Sequence, residues 1–485
     1  MLEILFIASE AVPFAKTGGL ADVAGILPQF LAEKSNVSLM IPEYLTEKIR
    51  SLTLETVDFF PIPIGSRSFP AEIKKANLTP RLSVYFITQE YFFARKYLYG
   101  DAHGEYSDTF YRFLFFQKAI VEFIRRQEIF FDIVHCHDWQ TALIPLLIKS
   151  PPSPSLLLKT KIVFSIHNLG YQGIFPGNLF SETGFEDYLF SSDYLEFYGN
   201  INFMKAGIIF SDWLLTVSPT YAREILSPEK GFGLDGLLNK FSFKLSGILN
   251  GVDYSQWAPE NDSFIDYPYS RVTLAEKRKN KEALYAELNI STDCNWPLLV
   301  VISRIAKQKG IDLLLNIFPI LLKENLHVII LGEGEAHLTQ KLQAMADQFP
   351  NRSTFLNFFD ERMAHRMEAA ADIFFMPSIY EPCGLNQIYS MKYGTVPIVR
   401  ATGGLEDSVS EFDPHTGHGT GFKFSGDSIS EIMLLIKKVL AMYQNPQVWR
   451  QIQENGMLRN FAWEMVVPEY ISIYNKIMRE DRNHG

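Results

Sequence analysis

The chain has 485 residues, which is too long for a single hydrophobic core, so we expect two domains. Hydrophobic residues make up 47% of the chain, which is typical of a globular protein. The formal net charge of −10 argues against a nucleic-acid partner or an anionic membrane. Three cysteines without a CxxC pair, and no apolar stretch of roughly 18 residues, predict a soluble cytoplasmic protein with no membrane partner.

The first predicted βα unit places a glycine turn after a buried strand. Leu2–Ser9 is a predicted buried strand, and its apolar run Ile4–Ala8 is short and lacks a basic leader, which argues against a signal peptide. The loop Glu10–Thr17 leads to Gly18 and Gly19, which open a helix. A glycine turn lets the backbone approach a ligand closely, and Lys16 adds a mobile positive charge. The alternative is an ordinary turn with a solvated lysine.

The next segments are less informative about chemistry. Residues 51–80 contain strand-like pieces separated by prolines and give no clear element. Asp108–Gln127 predicts a long helix whose phenylalanines fill the core. The prolines of Ser150–Ser155 predict a surface loop, because they are compatible with neither a helix nor a strand ladder.

Two strands of the first half end in polar side chains. Asp132–Cys136 is a predicted buried strand followed by His137 and Asp138, and Lys161–Ile166 is another, followed by His167. Ligands of open α/β sheets bind at the carboxyl ends of strands, so these side chains are candidates for one site. A structural hydrogen-bonding role is the alternative for each histidine.

The second half restarts the alternation of strands and helices after a turn at Asn250 and Gly251. Its predicted strands are Leu298–Ser303, His327–Leu331, Phe355–Phe358 and Ile373–Met376. This order predicts a second parallel sheet and an α/β protein with two Rossmann-like domains. The expected domains are residues 1–247 and 248–460, followed by a terminal helix within residues 461–485.

Two basic residues follow the first strand of the second half. Arg304 and Lys309 lie five residues apart in SRIAKQKG. Arginine offers a rigid fork of donors and lysine a point charge, which together suit the oxygens of a diphosphate. Ordinary loop charges are the alternative reading for both residues.

The stretch Ser378–Val409 combines the most chemistry in the shortest distance. Glu381 follows a strand and offers a carboxylate to the hydroxyls of a polyol, although a helix-capping role is its alternative. Cys383 is expected to line the site as a buried thiol. A second glycine turn, whose backbone N–H groups suit a phosphate, opens a helix at Thr402, Gly403 and Gly404.

These motifs together resemble those of the bacterial glycogen synthases and plant starch synthases. The resemblance extends over nearly the whole chain and includes KTGGLADVAGILP, HDW, FSIHNLGYQG, GFGLDG, ILNGVD, SRIAKQKG, EPCGL and YGTVPIVRATGGLEDSV. It implies a GT-B type fold, in which two facing Rossmann-like domains enclose a deep cleft and the terminal helix crosses back to the first domain. It also implies retaining transfer of glucose from ADP-glucose to the non-reducing end of an α-1,4-glucan such as glycogen or malto-oligosaccharide.

The resemblance assigns a role to each candidate residue. His167, Asp138 and Glu381 would act on the reacting sugar, with the His167 carbonyl near the anomeric carbon, and Asn250 is a possible sugar contact, with a turn-forming role as its equal rival. The residues expected to bind the donor and its phosphates are Lys16, Gly18, Gly19, Arg304, Lys309, Cys383, Gly384, Thr402, Gly403 and Gly404. No cofactor and no metal are expected, because basic side chains would take the place of a cation.

Three other functions are weighed against this one. A transferase of the same fold could use UDP-glucose or make a sucrose-type product. A silent glucan-binding protein would bind glycogen without turning over a donor, although the presence of Lys16, Arg304 and Glu381 argues against it. A metal-dependent hydrolase could be built on His135, His137 and Asp138, but no distant ligand cluster is evident in the sequence.

Overall fold

The computed structural model describes residues 1–101, 104–150, 157–291 and 295–480. All but the first residue of the predicted loop Ser150–Ser155, and also Cys294, lie outside these ranges. The chain divides into two compact units. The first contains residues 1–217, 222–248 and 466–485, and the second contains residues 218–221 and 249–465. Among the described helices, none is both long enough and apolar enough to cross a membrane.

The strands of the first unit are β1 (Glu3–Ile7), β2 (Asn36–Pro42), β3 (Glu55–Ile64), β4 (Arg67–Thr79), β5 (Leu82–Thr88), β6 (Gly100–Asp101), β7 (Gly104–Glu105), β8 (Ile133–His137), β9 (Lys161–Ile166), β10 (Ile174–Pro176), β11 (Glu196–Phe197), β12 (Asn200–Asn202), β13 (Trp213–Thr216) and β14 (Leu245–Gly247). In the described part of this unit, nine strands form one sheet in the order β14-β13-β9-β8-β1-β2-β5-β4-β3. Neighbours from β14 to β5 are parallel, whereas β4 and β3 extend the sheet as an antiparallel hairpin.

The helices that begin in or border the first unit are α1 (Gly19–Leu31), α2 (Glu47–Arg50), α3 (Glu90–Phe93), α4 (Thr109–Gln127), α5 (Ile144–Lys149), α6 (Phe180–Thr183), α7 (Phe203–Phe210), α8 (Pro219–Glu224) and α9 (Asp235–Lys240). Helix α4 carries the predicted phenylalanines, and Phe110, Phe113, Phe116 and Phe123 are all buried. They therefore fill the core, as expected from the sequence.

The strands of the second unit are β15 (Leu298–Ile302), β16 (His327–Leu331), β17 (Ser353–Leu356), β18 (Ile373–Met376), β19 (Val396–Arg400) and β20 (Phe422–Phe424). Within the described ranges these six strands form a parallel sheet in the order β17-β16-β15-β18-β19-β20. The helices are α10 (Lys277–Glu287), α11 (Ile311–Leu321), α12 (Ala336–Gln348), α13 (Glu361–Ala370), α14 (Asn386–Lys392), α15 (Gly403–Ser408), α16 (Ile429–Tyr443) and α17 (Pro446–Met457), and α18 (Trp463–Glu480) ends the described chain.

Helices cover both faces of the second sheet, which explains the unbroken apolar sequence of its central strand. Leu299 and Val301 of β15 belong to one hydrophobic cluster, while Leu298, Val300 and Ile302 belong to another. Successive side chains of a strand point to opposite faces, so both faces of β15 are buried.

Each sheet reverses its strand order at its centre. In the first unit the chain builds β2 on one side of β1 and β8 on the other, and in the second it builds β16 and β18 on opposite sides of β15. Loops that leave the carboxyl ends of two such central strands diverge and form a crevice, which is the usual ligand site of an open α/β sheet. In chain order, the predicted site residues follow β1, β8 and β9 of the first sheet and β15, β18 and β19 of the second, and Asn250 follows β14.

Candidate functional site

The loop after β1 is held by a buried carboxylate. Glu10 is 4% exposed, and its Oε2 accepts hydrogen bonds from the Thr17 backbone N–H at 2.5 Å and from Thr17 Oγ1 at 2.8 Å. Burial raises the pKa of Glu10 to about 7, against the lowering effect of both Thr17 hydrogen bonds. Lys16 is exposed and pairs with Asp22 in the first turn of α1, with Nζ and Oδ1 2.8 Å apart.

The same turn leaves open space beside the start of α1. A Cβ atom added at Gly19 would meet no described heavy atom within 4 Å, so packing does not explain the glycine there. Gly18 has extended backbone at φ −158° and provides no side-chain cap to the helix. An uncapped helix N-terminus beside a lysine favours an anion, and this is the chemistry predicted for the turn.

At the ends of β8 and β9 two histidines meet. His137 Nδ1 and His167 Nε2 lie 2.9 Å apart, so one ring donates a hydrogen bond to the other. Burial lowers the pKa of His167 to about 3, and it also lowers the pKa of His137 well below its usual value. Both imidazoles are therefore neutral near pH 7. The structure brings these two predicted residues into direct contact.

Asp138 sits on a strained backbone between the same two strands. Its φ is +57°, a conformation that a non-glycine residue rarely adopts. Its Oδ1 accepts the backbone N–H of His167 at 2.7 Å, and the backbone N–H of Asn168 also donates to its carboxylate. Burial nevertheless raises the pKa of Asp138 to about 7. The carboxylate thus fixes the backbone that carries His167.

His135 has a structural environment. Its Nδ1 lies 2.7 Å from the hydroxyl oxygen of Tyr474 in α18, and its Nε2 lies 2.7 Å from Ser165 Oγ. Both ring nitrogens are engaged, so none is left to bind a metal. In the part of the chain that the structure describes, no three His, Cys, Asp or Glu side chains cluster in a way that could hold a metal ion.

In the second unit, the loops after β15 and β18 are joined by an ion pair. Lys309 Nζ lies 2.6 Å from Glu381 Oε2, and Ser378 Oγ donates to the same oxygen at 3.0 Å. Both charged side chains are largely buried. Arg304 is exposed, and its side chain makes no hydrogen bond or ion pair with any described residue. The loop after β15 therefore carries a lysine fixed by an ion pair, Lys309, and an arginine whose side chain has no partner among the described residues, Arg304.

The second glycine turn packs directly against the loop that carries Glu381. Gly403 has φ +46°, and a Cβ atom there would lie 2.0 Å from the Glu381 carbonyl oxygen. A Cβ atom at Gly404 would lie 2.1 Å from the Cys383 carbonyl oxygen. Larger residues would push the two loops apart. The Gly404 N–H already donates to the carbonyls of Glu381 and Pro382, so it is not available to a phosphate in this arrangement.

The chain is similar to known proteins over nearly its whole length. Residues 3–240 match the family model described as the starch synthase catalytic domain, and residues 289–456 match that of glycosyl transferases group 1. A glycogen synthase of Koribacter versatilis is 40% identical over 98% of both chains. One from Bacillus cereus is 39% identical over 98% of this chain and 100% of its own. The chain belongs to the glycogen and starch synthase family of glycosyltransferases.

The structural comparison agrees with this assignment. The catalytic domain of starch synthase IV from Arabidopsis thaliana, bound to ADP and acarbose, is 32% identical and superposes with a TM-score of 0.90 over 99% of both chains. The predicted GT-B fold with two Rossmann-like α/β domains is therefore confirmed. The identification as a glycogen or starch synthase relative, made from the sequence motifs, is also confirmed.

Two further predicted residues of this family member meet in the second unit. The backbone N–H of Asn250 donates to Cys383 Sγ, and burial raises the pKa of that thiol to about 12. Cys383 is therefore a protonated packing residue and not a nucleophile. The side-chain Oδ1 of Asn250 is buried without a partner among the described residues, so it remains available to accept a hydrogen bond from a ligand.

Tyr389 lies on α14, eight residues after Glu381. Its ring stacks on Trp257 with centroids 4.0 Å apart and planes inclined by 6°. The tyrosine is 8% exposed and belongs to a hydrophobic cluster with Ile388. This position of the glycogen synthase relative is therefore a packing position.

Sequence reasoning missed the two residues that hold the predicted site residues in place. Glu10 was assigned only to a loop, although a carboxylate directly after a buried strand is a signal of the same kind as Glu381. Ser378 carries no local sequence signal beyond its place after the predicted strand Ile373–Met376. Their partners, Thr17 and Glu381, become clear only from the folded chain.

Proposed function

We propose that this chain transfers glucose from ADP-glucose to the non-reducing end of an α-1,4-glucan, with retention of the anomeric configuration. The observation that carries the proposal is the contact between Lys309 and Glu381 on the loops that carry the motifs SRIAKQKG and EPCGL. A cation and a carboxylate held together at a strand-order reversal suit a ligand that has both phosphates and hydroxyl groups.

In the second unit, the proposal assigns the leaving diphosphate to Arg304 and Lys309. The bond from the anomeric carbon to the phosphate oxygen breaks, and negative charge grows on that oxygen. A free guanidinium and a fixed ammonium stabilise this charge without a metal ion. The Gly403 N–H would contribute a backbone donor, whereas the Thr402 N–H already donates to the Arg400 carbonyl and the Gly404 N–H to those of Glu381 and Pro382.

Glu381 would hold the sugar. Its Oε2 is fixed by Lys309 and Ser378, so the carboxylate is oriented before a ligand arrives. An ionised carboxylate accepts strong hydrogen bonds from sugar hydroxyls. The buried Oδ1 of Asn250 is a further acceptor of the same unit.

In the first unit, neutral histidines suit the reacting carbon. Positive charge develops at the anomeric carbon, and a protonated imidazole beside it would oppose the reaction. The lowered pKa of His167 keeps the ring uncharged, so its carbonyl can stabilise that charge while Asp138 fixes the backbone. A new bond forms from the acceptor hydroxyl oxygen to the anomeric carbon, and its proton passes to the leaving phosphate. The products are ADP and a glucan longer by one glucose.

The proposal extends to domain roles and location. Residues 1–247 would act on the acceptor side, residues 248–460 would hold the donor, and the helix within residues 461–485 would cross back to the first domain. Lys16 and the glycines Gly18 and Gly19 would add their positive charge and backbone N–H groups to donor binding. The proposed location is the cytoplasm, which suits the free, buried thiols of Cys136 and Cys383.

Three single substitutions test the proposal. Lys16→Ala, Arg304→Ala and Glu381→Ala should each lower glucose transfer from ADP-glucose to glycogen by at least about tenfold, since each removes a charged contact with the donor. Near-normal transfer by all three variants would overturn the proposal. Binding of glycogen without any turnover in the unaltered protein would favour the silent glucan-binding alternative.

A further inference from the structure

We infer that Glu10 is a positioning residue for glucosyl transfer, because it fixes the exposed turn of residues 16–19 through Thr17. The inference rests on the proposed function, in which that turn binds the anionic part of a nucleoside diphosphate sugar. It assigns a role to a side chain that the sequence motifs did not single out.

The contacts of Glu10 are directed at the turn. Residues 16–19 are all exposed, whereas Glu10 is buried in the loop three residues after β1 ends at Ile7. One carboxylate oxygen accepts both the backbone N–H and the hydroxyl of Thr17, which restrains that residue at two points. Lys16 precedes Thr17 directly and Gly18 follows it. The orientation of Thr17 therefore sets where the lysine side chain starts and where α1 begins.

A purely structural role does not require a carboxylate at this position. Glutamine could accept the same two hydrogen bonds without placing a charge in a buried site, where ionisation is costly. The charged groups that face Glu10 are Asp22 and Asp138, and the buried tyrosines Tyr44 and Tyr99 also lie within electrostatic range. Like charges from Asp22 and Asp138 make ionisation harder still. An ionised Glu10 therefore destabilises the folded chain relative to an uncharged side chain at this position.

The charge state of Glu10 should therefore matter to the turn. An ionised carboxylate accepts about twice as strongly as a neutral one, so it holds Thr17 more firmly. With its pKa raised to about 7 by burial, Glu10 becomes ionised as the pH rises through neutrality. Donor binding should improve over the same range. The nearby Asp138 titrates in the same range, which links the turn to the backbone of His167.

The experiment compares Glu10→Ala and Glu10→Gln with a matched control, Glu43→Gln. Glu43 belongs to the same unit and also accepts a threonine hydroxyl, that of Thr88, but pairs with Lys74 on the antiparallel part of the sheet. The measurements are KM for ADP-glucose and kcat at about pH 6 and about pH 8, and amide hydrogen exchange of residues 11–20.

Glu10→Ala should raise KM about tenfold or more with a smaller change in kcat, and should speed exchange in the turn. Glu10→Gln should have a KM within about threefold of that of the unaltered protein. Its KM should not fall between about pH 6 and about pH 8, whereas the KM of the unaltered protein should. The Glu43→Gln control should keep both KM and its pH dependence. Thr17→Val, which removes only the hydroxyl donor, should raise KM as well and serves if Glu10→Ala does not fold.

The inference would be overturned if Glu10→Ala had the same KM for ADP-glucose and the same amide exchange in the turn as the unaltered protein. The same result in Thr17→Val would overturn it if that variant is used instead. So would a Glu10→Gln protein as impaired as Glu10→Ala in KM and exchange, or one whose KM keeps the wild-type pH dependence. A failure of the proposed function is distinguished from these results, because the unaltered protein would then transfer no glucose while the exchange measurement would still report whether Glu10 holds the turn.

Discussion

Lys309 donates a hydrogen bond to Glu381, with Nζ and Oε2 2.6 Å apart, although 72 residues separate them in the chain. The contact exists because β15 and β18 are neighbours in the sheet, so that the loops leaving their carboxyl ends meet. One residue was predicted to bind phosphate and the other to bind sugar. Because the two side chains form an ion pair, a change to the residue predicted to bind phosphate also alters the charge beside the residue predicted to bind sugar.

The first prediction concerns this pair. Lys309→Met and Glu381→Gln should each lower the free energy of unfolding by about 2 kcal/mol, because each removes a charge-assisted hydrogen bond from a largely buried site. The double variant should lose less stability than the sum of the two losses, since it leaves no unpaired charge. Glucose transfer should be lost in all three proteins. Urea unfolding and transfer assays measure both effects.

A control separates stability from function in that experiment. Lys281 pairs with Asp372 at 2.7 Å in the same unit, with a similar degree of burial, but away from the loops that carry Lys309 and Glu381. Lys281→Met should lower stability while leaving KM for the donor unchanged. Additive losses in the pair on the loops, or retained transfer in Lys309→Met, would contradict the prediction.

The second prediction concerns Arg304. Because its side chain is exposed and has no described partner, Arg304→Ala should change the free energy of unfolding by less than about 0.5 kcal/mol. Transfer from ADP-glucose should fall by about a hundredfold, since the guanidinium would stabilise the leaving diphosphate. Lys307, another exposed cation on the same loop, is the control, and Lys307→Ala should transfer nearly normally. Equal losses in the two variants would indicate a general effect of charge.

The third prediction is a pH dependence that depends on Asp138. Only the ionised carboxylate fully accepts the backbone N–H groups of His167 and Asn168, and burial raises its pKa to about 7. Transfer should therefore fall as the pH drops through about 7, and Asp138→Asn should be slow with a flatter profile. The measurement is kcat/KM between about pH 5 and about pH 9. An unchanged profile in the variant would contradict this assignment.

The same carboxylate has an opposite effect on stability. The folded chain keeps the Asp138 proton up to about pH 7, whereas the unfolded chain releases it near the ordinary value of 3.8. Unfolding therefore releases a proton within this window, and the contribution of Asp138 to stability falls as the pH rises through it. The free energy of unfolding of Asp138→Asn, minus that of the unaltered protein, should therefore increase as the pH rises from about 4 to about 7, as measured by urea unfolding. A relative loss of stability over that range would have the wrong sign.

The fourth prediction concerns the terminal helix. Tyr474→Phe removes the hydroxyl that pairs with buried His135, so the free energy of unfolding should fall by about 1–3 kcal/mol. The ring remains and packs as before, and kcat per folded molecule should not change. Thermal unfolding and transfer assays measure the two effects. A loss of kcat with unchanged stability would show that His135 acts in the reaction.

Much of the parallel architecture could be predicted from the sequence, because strands buried on both faces are continuous apolar runs. Lys161–Ile166, His327–Leu331 and Ile373–Met376 were predicted with the observed bounds. The strand predicted at Phe355–Phe358 lies two residues earlier, at Ser353–Leu356. Its start includes a buried serine, which apolar patterning does not detect.

The antiparallel hairpin could not be predicted, because its prolines were read as interruptions. Pro61 and Pro63 lie on β3, the edge strand of the sheet, and a missing N–H is tolerated there. Pro70 of β4 faces Pro61, beyond the point at Glu72 where pairing with β5 begins. Pro468 lies inside a helix, because α18 continues through it.

The candidate site could be predicted as a list of residues but not as a set of contacts. Strand ends and glycine turns are local signals, and they indicated His167, Asp138 and Glu381. The contact of His137 with His167 and that of Lys309 with Glu381 depend on which strands are neighbours, and no local pattern encodes this. The extended backbone at Gly18 and the tight packing at Gly403 likewise appear only in the folded chain.

Glucosyl transfer by this chain is best tested by the incorporation of labelled glucose into glycogen from each nucleotide sugar in turn. We expect that ADP-glucose is used, that label appears at non-reducing ends in α-1,4 linkage, and that a chelator does not reduce the rate. Transfer from UDP-glucose alone, transfer to fructose in place of glycogen, or binding of glycogen with no transfer from either donor would contradict this expectation.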